Sequence, residues 1–397
     1  MGATRVVSCL LRQPYFPLET GILGLGGMIL AIAALLLEPA VRGSFPYYVN
    51  GLYGLLLVLF AFQIVALGKT PLGEFGRSFV VLAGGGAVAA VGVTACCIPS
   101  FQQIPRLVLL ACFGGGFVLL LRLLTERERI RQWWALGGIF RHLLFSSSAV
   151  YVLSMLTALI LWQEEGALAG EAAGVLSLYA IALFYLAAVL RKIYFRYPGS
   201  DAPKPGGTEL SAAQAVLLLL SLFMILLGLL LVPVSLGWLP FSSGAQLGLL
   251  MVFFSLQMLA VGETPLGPFP RNWLLLGCSI LFAAAGLISC LLPELLVAPL
   301  TLWVGMLNIT NGSVTLRNCW RTARQPGETP PPQIALVGGR LFKAQLLLGL
   351  LALLFGTSML LPGFIPELVT GLILAANGAA LFGLVYLLLK LETLLRC

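Results

Sequence analysis

The sequence predicts an all-α, polytopic membrane protein of about twelve transmembrane helices, arranged as six hairpins in two parallel six-helix repeats. Three observations predict it. Of 397 residues, 59% are hydrophobic and only 10% charged, where a soluble domain carries roughly 25% charged residues. Apolar runs near the roughly 20 residues needed to cross a bilayer recur from end to end. The stretch at 60–77 returns at 254–271, an offset of 194 residues.

The predicted spans are 18–38, 47–67, 78–98, 105–125, 143–163, 170–192, 212–233, 243–262, 272–292, 295–315, 342–362 and 365–389. They pair through short turns marked by proline: Pro39 and Pro46, Pro99 and Pro105, Pro233 and Pro240, Pro293, and Pro362 with Pro366. Both helix ends must leave the hydrocarbon before such a turn, because irregular backbone cannot face lipid. Residues 1–16 carry Arg5 and Arg12 around a short apolar patch and have no small-residue cleavage site. They read as a cytoplasmic or interfacial segment rather than a cleaved signal.

Charge sets the expected orientation. With the N-terminus inside, all but Arg42 and Arg106 of the 23 Lys and Arg residues fall on the cytoplasmic side, as the positive-inside rule requires. Both termini are therefore expected in the cytoplasm. The same distribution explains the net charge of +8 without a nucleic-acid partner; the lipid bilayer is the expected partner. Three cytoplasmic segments are longer than a turn. Residues 126–141 mix charge with Trp133 and Trp134, as a helix at headgroup level would. Residues 198–209 belong to a polar Pro/Gly linker. Residues 317–340 are basic and then proline-rich, with Pro330, Pro331 and Pro332, and are expected to be extended.

The repeat defines the domains. Phe60, Gln63, Ala66, Gly68, Thr70, Pro71, Leu72, Gly73, Phe75 and Arg77 recur as Phe254, Gln257, Ala260, Gly262, Thr264, Pro265, Leu266, Gly267, Phe269 and Arg271. The register continues without a gap through Gly92 and Gly286, Cys96 and Cys290, and Pro99 and Pro293. The expected organisation is a first repeat at 17–197, a linker at 198–209 and a second repeat at 210–397. Six spans per repeat is an even number, so both enter the membrane the same way up. That predicts a pseudo-twofold axis along the membrane normal.

The segments 274–318 and 346–386 resemble the HdeD-like family of small multi-span membrane proteins. The residues that carry the likeness are Gly286 and Gly356 within spans, Pro293 and Pro362 at turns, and Gly305, Gly312, Gly371 and Gly378 beyond them. The resemblance implies two such units fused in one chain, residing in the bacterial cytoplasmic (inner) membrane, and supplies no catalytic residue. The twelve-span, 6+6 layout with loops after the second and eighth spans also resembles the major facilitator superfamily in topology, without the acidic–basic core of its signature motif.

Little points to catalysis. No ionisable residue falls in the middle of a predicted span, which counts against a proton-driven pump. The single histidine, His142, flanks Arg141 at a span start and reads as interfacial. No nucleotide loop or zinc-ligand spacing is present, so no cofactor and no metal are expected. The eight Cys residues form no disulfide framework, and those in the spans read as small buried hydrophobes. The candidate sites are the repeated cytoplasmic loops with Thr70, Pro71, Gly73, Arg77, Thr264, Pro265, Gly267 and Arg271. There the threonines can cap a turn that proline starts. A second set, Gln63, Gln257, Asn308 and Asn311, is a possible polar lining. Abundant glycine, 45 residues, predicts close helix pairs. The expectation is a non-enzymatic scaffold or partner subunit of a membrane assembly, with other protein subunits as partners. The alternative is a transporter or channel for a small neutral or weakly polar solute.

Overall fold

The computed structural model describes residues 17–44, 48–67, 79–100, 103–125, 127–162, 169–197, 210–262, 272–292, 294–324, 332–361 and 363–396. These form thirteen α-helices, and no strand occurs among the described residues. The helices are α1 (Leu18–Val41), α2 (Val49–Leu67), α3 (Phe79–Cys97), α4 (Gln103–Thr125), α5 (Arg127–Leu136), α6 (Ile139–Trp162) and α7 (Ala169–Arg196). They continue with α8 (Ala212–Ser235), α9 (Ser243–Val261), α10 (Trp273–Leu291), α11 (Val297–Arg324), α12 (Pro332–Leu360) and α13 (Glu367–Arg396).

Ten of these are long and apolar enough to cross a bilayer. In a chain with so little charge that makes the protein a multi-pass integral membrane protein. The two expected spans outside that set are α2, whose apolar part is Val49–Val65, and α11, which carries Asn308, Asn311, Arg317, Arg321 and Arg324.

The sequence repeat is visible in the local geometry. Helices α1, α2 and α3 begin and end 194 residues before α8, α9 and α10. Their terminations match as well. Gly43 has φ +77° and Gly237 has φ +73°. The Ser44 N–H donates to the Pro39 carbonyl at 3.0 Å, and the Trp238 N–H to the Pro233 carbonyl at 3.0 Å. These are two Schellman endings, in which a left-handed glycine turns the chain back onto orphan helix carbonyls. Pro39 and Pro233 thus sit in the last helical turn, not in the connecting turn where sequence placed them.

Two starts are capped by side chains. Asn272 Oδ1 accepts from the Leu275 N–H at 2.8 Å at the head of α10. Before α8, the Ser211 N–H donates to Gln214 Oε1 at 2.9 Å and the Gln214 N–H to Ser211 Oγ at 3.2 Å, a reciprocal capping box. The expected interfacial helix is α5, ended by Gly137 and Gly138, both with positive φ. Arg141 stacks on Trp134 at 4.8 Å and donates to its carbonyl at 3.3 Å. The basic, proline-rich stretch at 317–340 is not extended where it is described. Helix α11 continues to Arg324 and α12 begins at Pro332. A proline at the first helical position has no N–H to lose and its φ is already helical.

The chain forms two compact units. One holds residues up to Val216 and Gly244–Leu295, and the other Leu217–Ser243 and Leu296–Cys397. In the first, α1 packs on α7, α2 on α3, α6 on both α4 and α7, and α10 on α1 and α2. In the second, α12 packs between α11 and α13, and α8 meets α13. Glycine sets the closest approaches. A β-carbon on Gly54 or on Gly92 would collide with the other residue's carbonyl, and the repeat-equivalent Gly248 and Gly286 behave alike. In the second unit the same crowding joins Gly305 to Gly356, Gly312 to Gly349, and Gly371 to Gly228. Without hydrophobic drive between helices in lipid, such backbone proximity is what holds helix pairs together.

Candidate functional site

Helix α2 is apolar throughout except for Asn50 at its head and Gln63 near its end. An amide inside such a helix must find a hydrogen-bond partner or be costly to bury. Gln63 is 7% exposed. Its Oε1 accepts from the Tyr179 hydroxyl of α7 at 3.2 Å. Helix α1 makes room for the amide with Gly26, where a β-carbon would stand 3.1 Å from Gln63 Nε2.

Gln63 and Tyr179 border a cavity of about 40 Å³ inside the first unit. Such a volume fits a few waters, at roughly 10–15 Å³ each. Ser154 and Thr157 of α6 complete its polar wall, and Leu30, Leu56, Leu59, Phe60, Leu109 and Ala158 its apolar one. The Ser154 hydroxyl donates to the Tyr151 carbonyl at 2.8 Å, and Thr157 to the Leu153 carbonyl at 2.8 Å. Both oxygens keep lone pairs as acceptors. The cavity therefore offers neutral donors and acceptors. No lining residue carries a charge near neutral pH, so this site suits hydrogen bonding to a small neutral molecule and not proton transfer.

The other predicted residues fall elsewhere. Gln257 on α9 does not pair with Gln63; its Oε1 is buried without a hydrogen-bond partner in the protein. Asn308, 4% exposed, spends its amide on its own helix, donating to the Val304 carbonyl at 2.9 Å. Asn311 is exposed on α11. The loop residues Thr70, Pro71, Gly73, Arg77, Thr264, Pro265, Gly267 and Arg271 lie outside the described residues. The serine run at 146–148 is likewise back-bonded to the carbonyls of Leu143 and Leu144. His142 is exposed, and its Nδ1 is 2.6 Å from the Tyr185 hydroxyl. No cluster of three metal-ligating side chains occurs among the described residues.

Sequence reasoning missed three features. Tyr179 is one aromatic among many in an apolar helix, and nothing local marks it as the partner of a glutamine 116 residues away. Glu19, in the first turn of α1, is fully buried. A carboxylate there is favoured by the helix N-terminus, and its place at the end of an apolar run was a visible signal. Cys96 and Cys290, equivalent in the repeat and both fully buried, face equivalent carbonyls, those of Gly51 at 3.9 Å and Ala245 at 3.6 Å.

No family model, curated protein or solved structure matches this chain.

Proposed function

We propose that this protein is a non-enzymatic scaffold or partner subunit of a membrane assembly. Twelve spans are arranged as two parallel six-helix repeats, with both termini in the cytoplasm of a bacterial cell. The observation that carries this reading is where the polar groups go. The hydroxyls of Ser146, Ser147, Ser148, Thr157 and Ser279 bond to their own helix carbonyls, and Ser289 bonds to the Gly244 carbonyl of the neighbouring helix. Asn308 also bonds within its own helix, and Gly54, Gly92, Gly248, Gly286, Gly312 and Gly356 are spent on helix contact. The polar chemistry of the spans serves packing.

The matched helix bounds and Schellman endings support the duplication, and the basic loops support the orientation. The glycine and proline pattern shared with the HdeD-like family supports two fused units of that type. Outward faces rich in large apolar residues, such as Leu107, Leu121 and Leu124 on α4 and Leu302 and Met306 on α11, suit lipid and partner helices alike. Native mass spectrometry of protein extracted in mild detergent tests the reading. A stoichiometric second subunit is expected; a lone, homogeneous chain overturns it.

A second reading rests on the Gln63–Tyr179 cavity: passage of a small neutral or weakly polar solute. Flux into proteoliposomes that is lost in the Gln63→Leu variant would favour it. Unchanged flux in Gln63→Leu/Gln257→Leu would remove those residues from any path.

A further inference from the structure

Helix α11 has two unlike faces. One is closed by α12. Gly305 and Gly312 lie so near the Gly356 and Gly349 carbonyls that a β-carbon would crowd them, and Cys319 Sγ stands 3.8 Å from Gln345 Oε1. The opposite face is open. Trp303, Met306, Val314, Arg317, Arg321 and Arg324 recur there at helical spacing, and all are exposed. Thr310 lies among them, and its hydroxyl bonds back to the Met306 carbonyl at 2.9 Å. The face is thus mainly apolar from Trp303 to Val314 and cationic from Arg317 to Arg324. At 1.5 Å per residue the apolar part is about 16 Å long, close to half of a hydrocarbon core of roughly 30 Å. Neither α11 nor α12 contains an acidic residue to neutralise the arginines. In α5, by contrast, Glu128 separates Arg127 from Arg129. Arg324 stacks on the exposed Trp320 ring at 3.6 Å, which keeps a guanidinium and an aromatic ring together at the polar end of the face.

We propose that this face of α11 binds an anionic phospholipid, with the phosphodiester on Arg317 and Arg321 and an acyl chain along Met306 and Val314. The face and the lipid present the same order of chemistry, an apolar stem and then a charged head. A guanidinium matches phosphate oxygens with two parallel N–H donors, and each arginine at the membrane surface adds attraction for anionic lipid. A zwitterionic lipid would bring its own cation beside the arginines, so it binds less well. A partner helix would need acidic residues opposite all three arginines, whereas an anionic lipid supplies charge and chain in one molecule. On the orientation proposed above, the leaflet is the cytoplasmic one; the chemistry of the face does not depend on it.

Native mass spectrometry of the full chain, delipidated in mild non-ionic detergent, provides the test. Phosphatidylglycerol and phosphatidylcholine with the same acyl chains are titrated in turn. Wild type is expected to prefer phosphatidylglycerol by roughly tenfold or more. Arg317→Gln/Arg321→Gln is expected to lose the preference. Lys192→Gln/Arg196→Gln, which removes as much charge from the exposed end of α7, is expected to keep it. Inorganic phosphate at the same concentration should not displace the lipid. Phosphatidylglycerol with a photoreactive acyl chain adds a readout on wild type alone, independent of how the variants fold: its label should fall on α11 between Leu302 and Val314. Equal binding of the two lipids by wild type overturns the proposal. So does a preference that survives in the arginine variant or vanishes in the α7 variant. Displacement by phosphate would make this a site for the free ion, and an acidic protein held there in place of lipid would assign the face to a partner; either result overturns the proposal, as does label confined to other helices.

Discussion

The Tyr179 hydroxyl donates to Gln63 Oε1 across 3.2 Å, joining α7 to α2 inside the first unit. Interhelical bonds of this kind contribute about 0.6 kcal/mol on average in membrane proteins, with a maximum near 1.7. Removing one partner also leaves the other unpaired where it is buried, which costs about 1–3 kcal/mol. Tyr179→Phe is therefore expected to lower stability by about 1 kcal/mol or slightly more. Gln63→Leu should cost less once combined with Tyr179→Phe than it does alone. A double-mutant cycle on reversible unfolding in mixed micelles measures this. A coupling of zero would mean that the bond contributes nothing.

The glycine pairs make a sharper contrast. A β-carbon on Gly286 would stand 2.5 Å from the Gly248 carbonyl, and one on Gly92 2.8 Å from the Gly54 carbonyl. Forcing extra volume into a closed seam typically costs about 1–3 kcal/mol. Gly92→Ala and Gly286→Ala should each lower the melting temperature in detergent. By contrast, Gly114 and Gly115 on α4 have open space around them, and alanine is the better helix former by about 0.8–1.0 kcal/mol. Gly114→Ala and Gly115→Ala should be neutral or stabilising. A melting series in which all four variants fall together would remove the seam from the explanation.

That contrast also shows what was legible in the sequence. Gly286, Gly305, Gly312, Gly356, Gly371 and Gly378 carry the likeness to the HdeD-like family, and all six lie where a β-carbon would crowd a neighbouring helix. Helix positions were legible because hydrophobicity sets them locally. Contacts between distant helices were not. The Gly84–Gly86 and Gly114–Gly116 triplets look like the strongest contact signals, yet Gly84, Gly114 and Gly115 touch nothing. Which face of a uniformly apolar helix turns inward has no local signature. The pairing of Gln63 with Tyr179, instead of with its repeat partner Gln257, was hidden for the same reason. The 317–340 stretch, expected to be extended from its proline-rich composition, is helical where it is described, because proline is favoured at the first helical position.

The paired Schellman endings predict equal responses at equivalent sites. Gly43 and Gly237 both hold a left-handed backbone, which a β-carbon penalises by roughly 1–2 kcal/mol. Gly43→Ala and Gly237→Ala should each cost about 1 kcal/mol or more. Asparagine at either site should cost less, because its side chain tolerates that conformation. Thermal unfolding of the four single variants checks both the size and the ranking. Equal melting points for alanine and asparagine would mean that the backbone at these turns relaxes on substitution.

The two repeat-equivalent glutamines, finally, should respond in opposite directions. Gln63 and Gln257 occupy the same place in the duplicated sequence, yet only Gln63 has its amide oxygen paired within the protein. Removing a buried acceptor that has no partner relieves a desolvation cost of about 1–3 kcal/mol, while the apolar volume of leucine replaces that of the amide. Gln257→Leu is therefore expected to leave stability unchanged or raise it. Gln63→Leu lowers stability, because it removes the acceptor of the Tyr179 hydroxyl bond that joins α7 to α2. The comparison needs only the two single variants and one unfolding assay, since the substitution and its place in the repeat are the same. If Gln257→Leu destabilises as much as Gln63→Leu, then the Gln257 amide is bonded to water or lipid in the membrane. The two repeats would then treat this position alike.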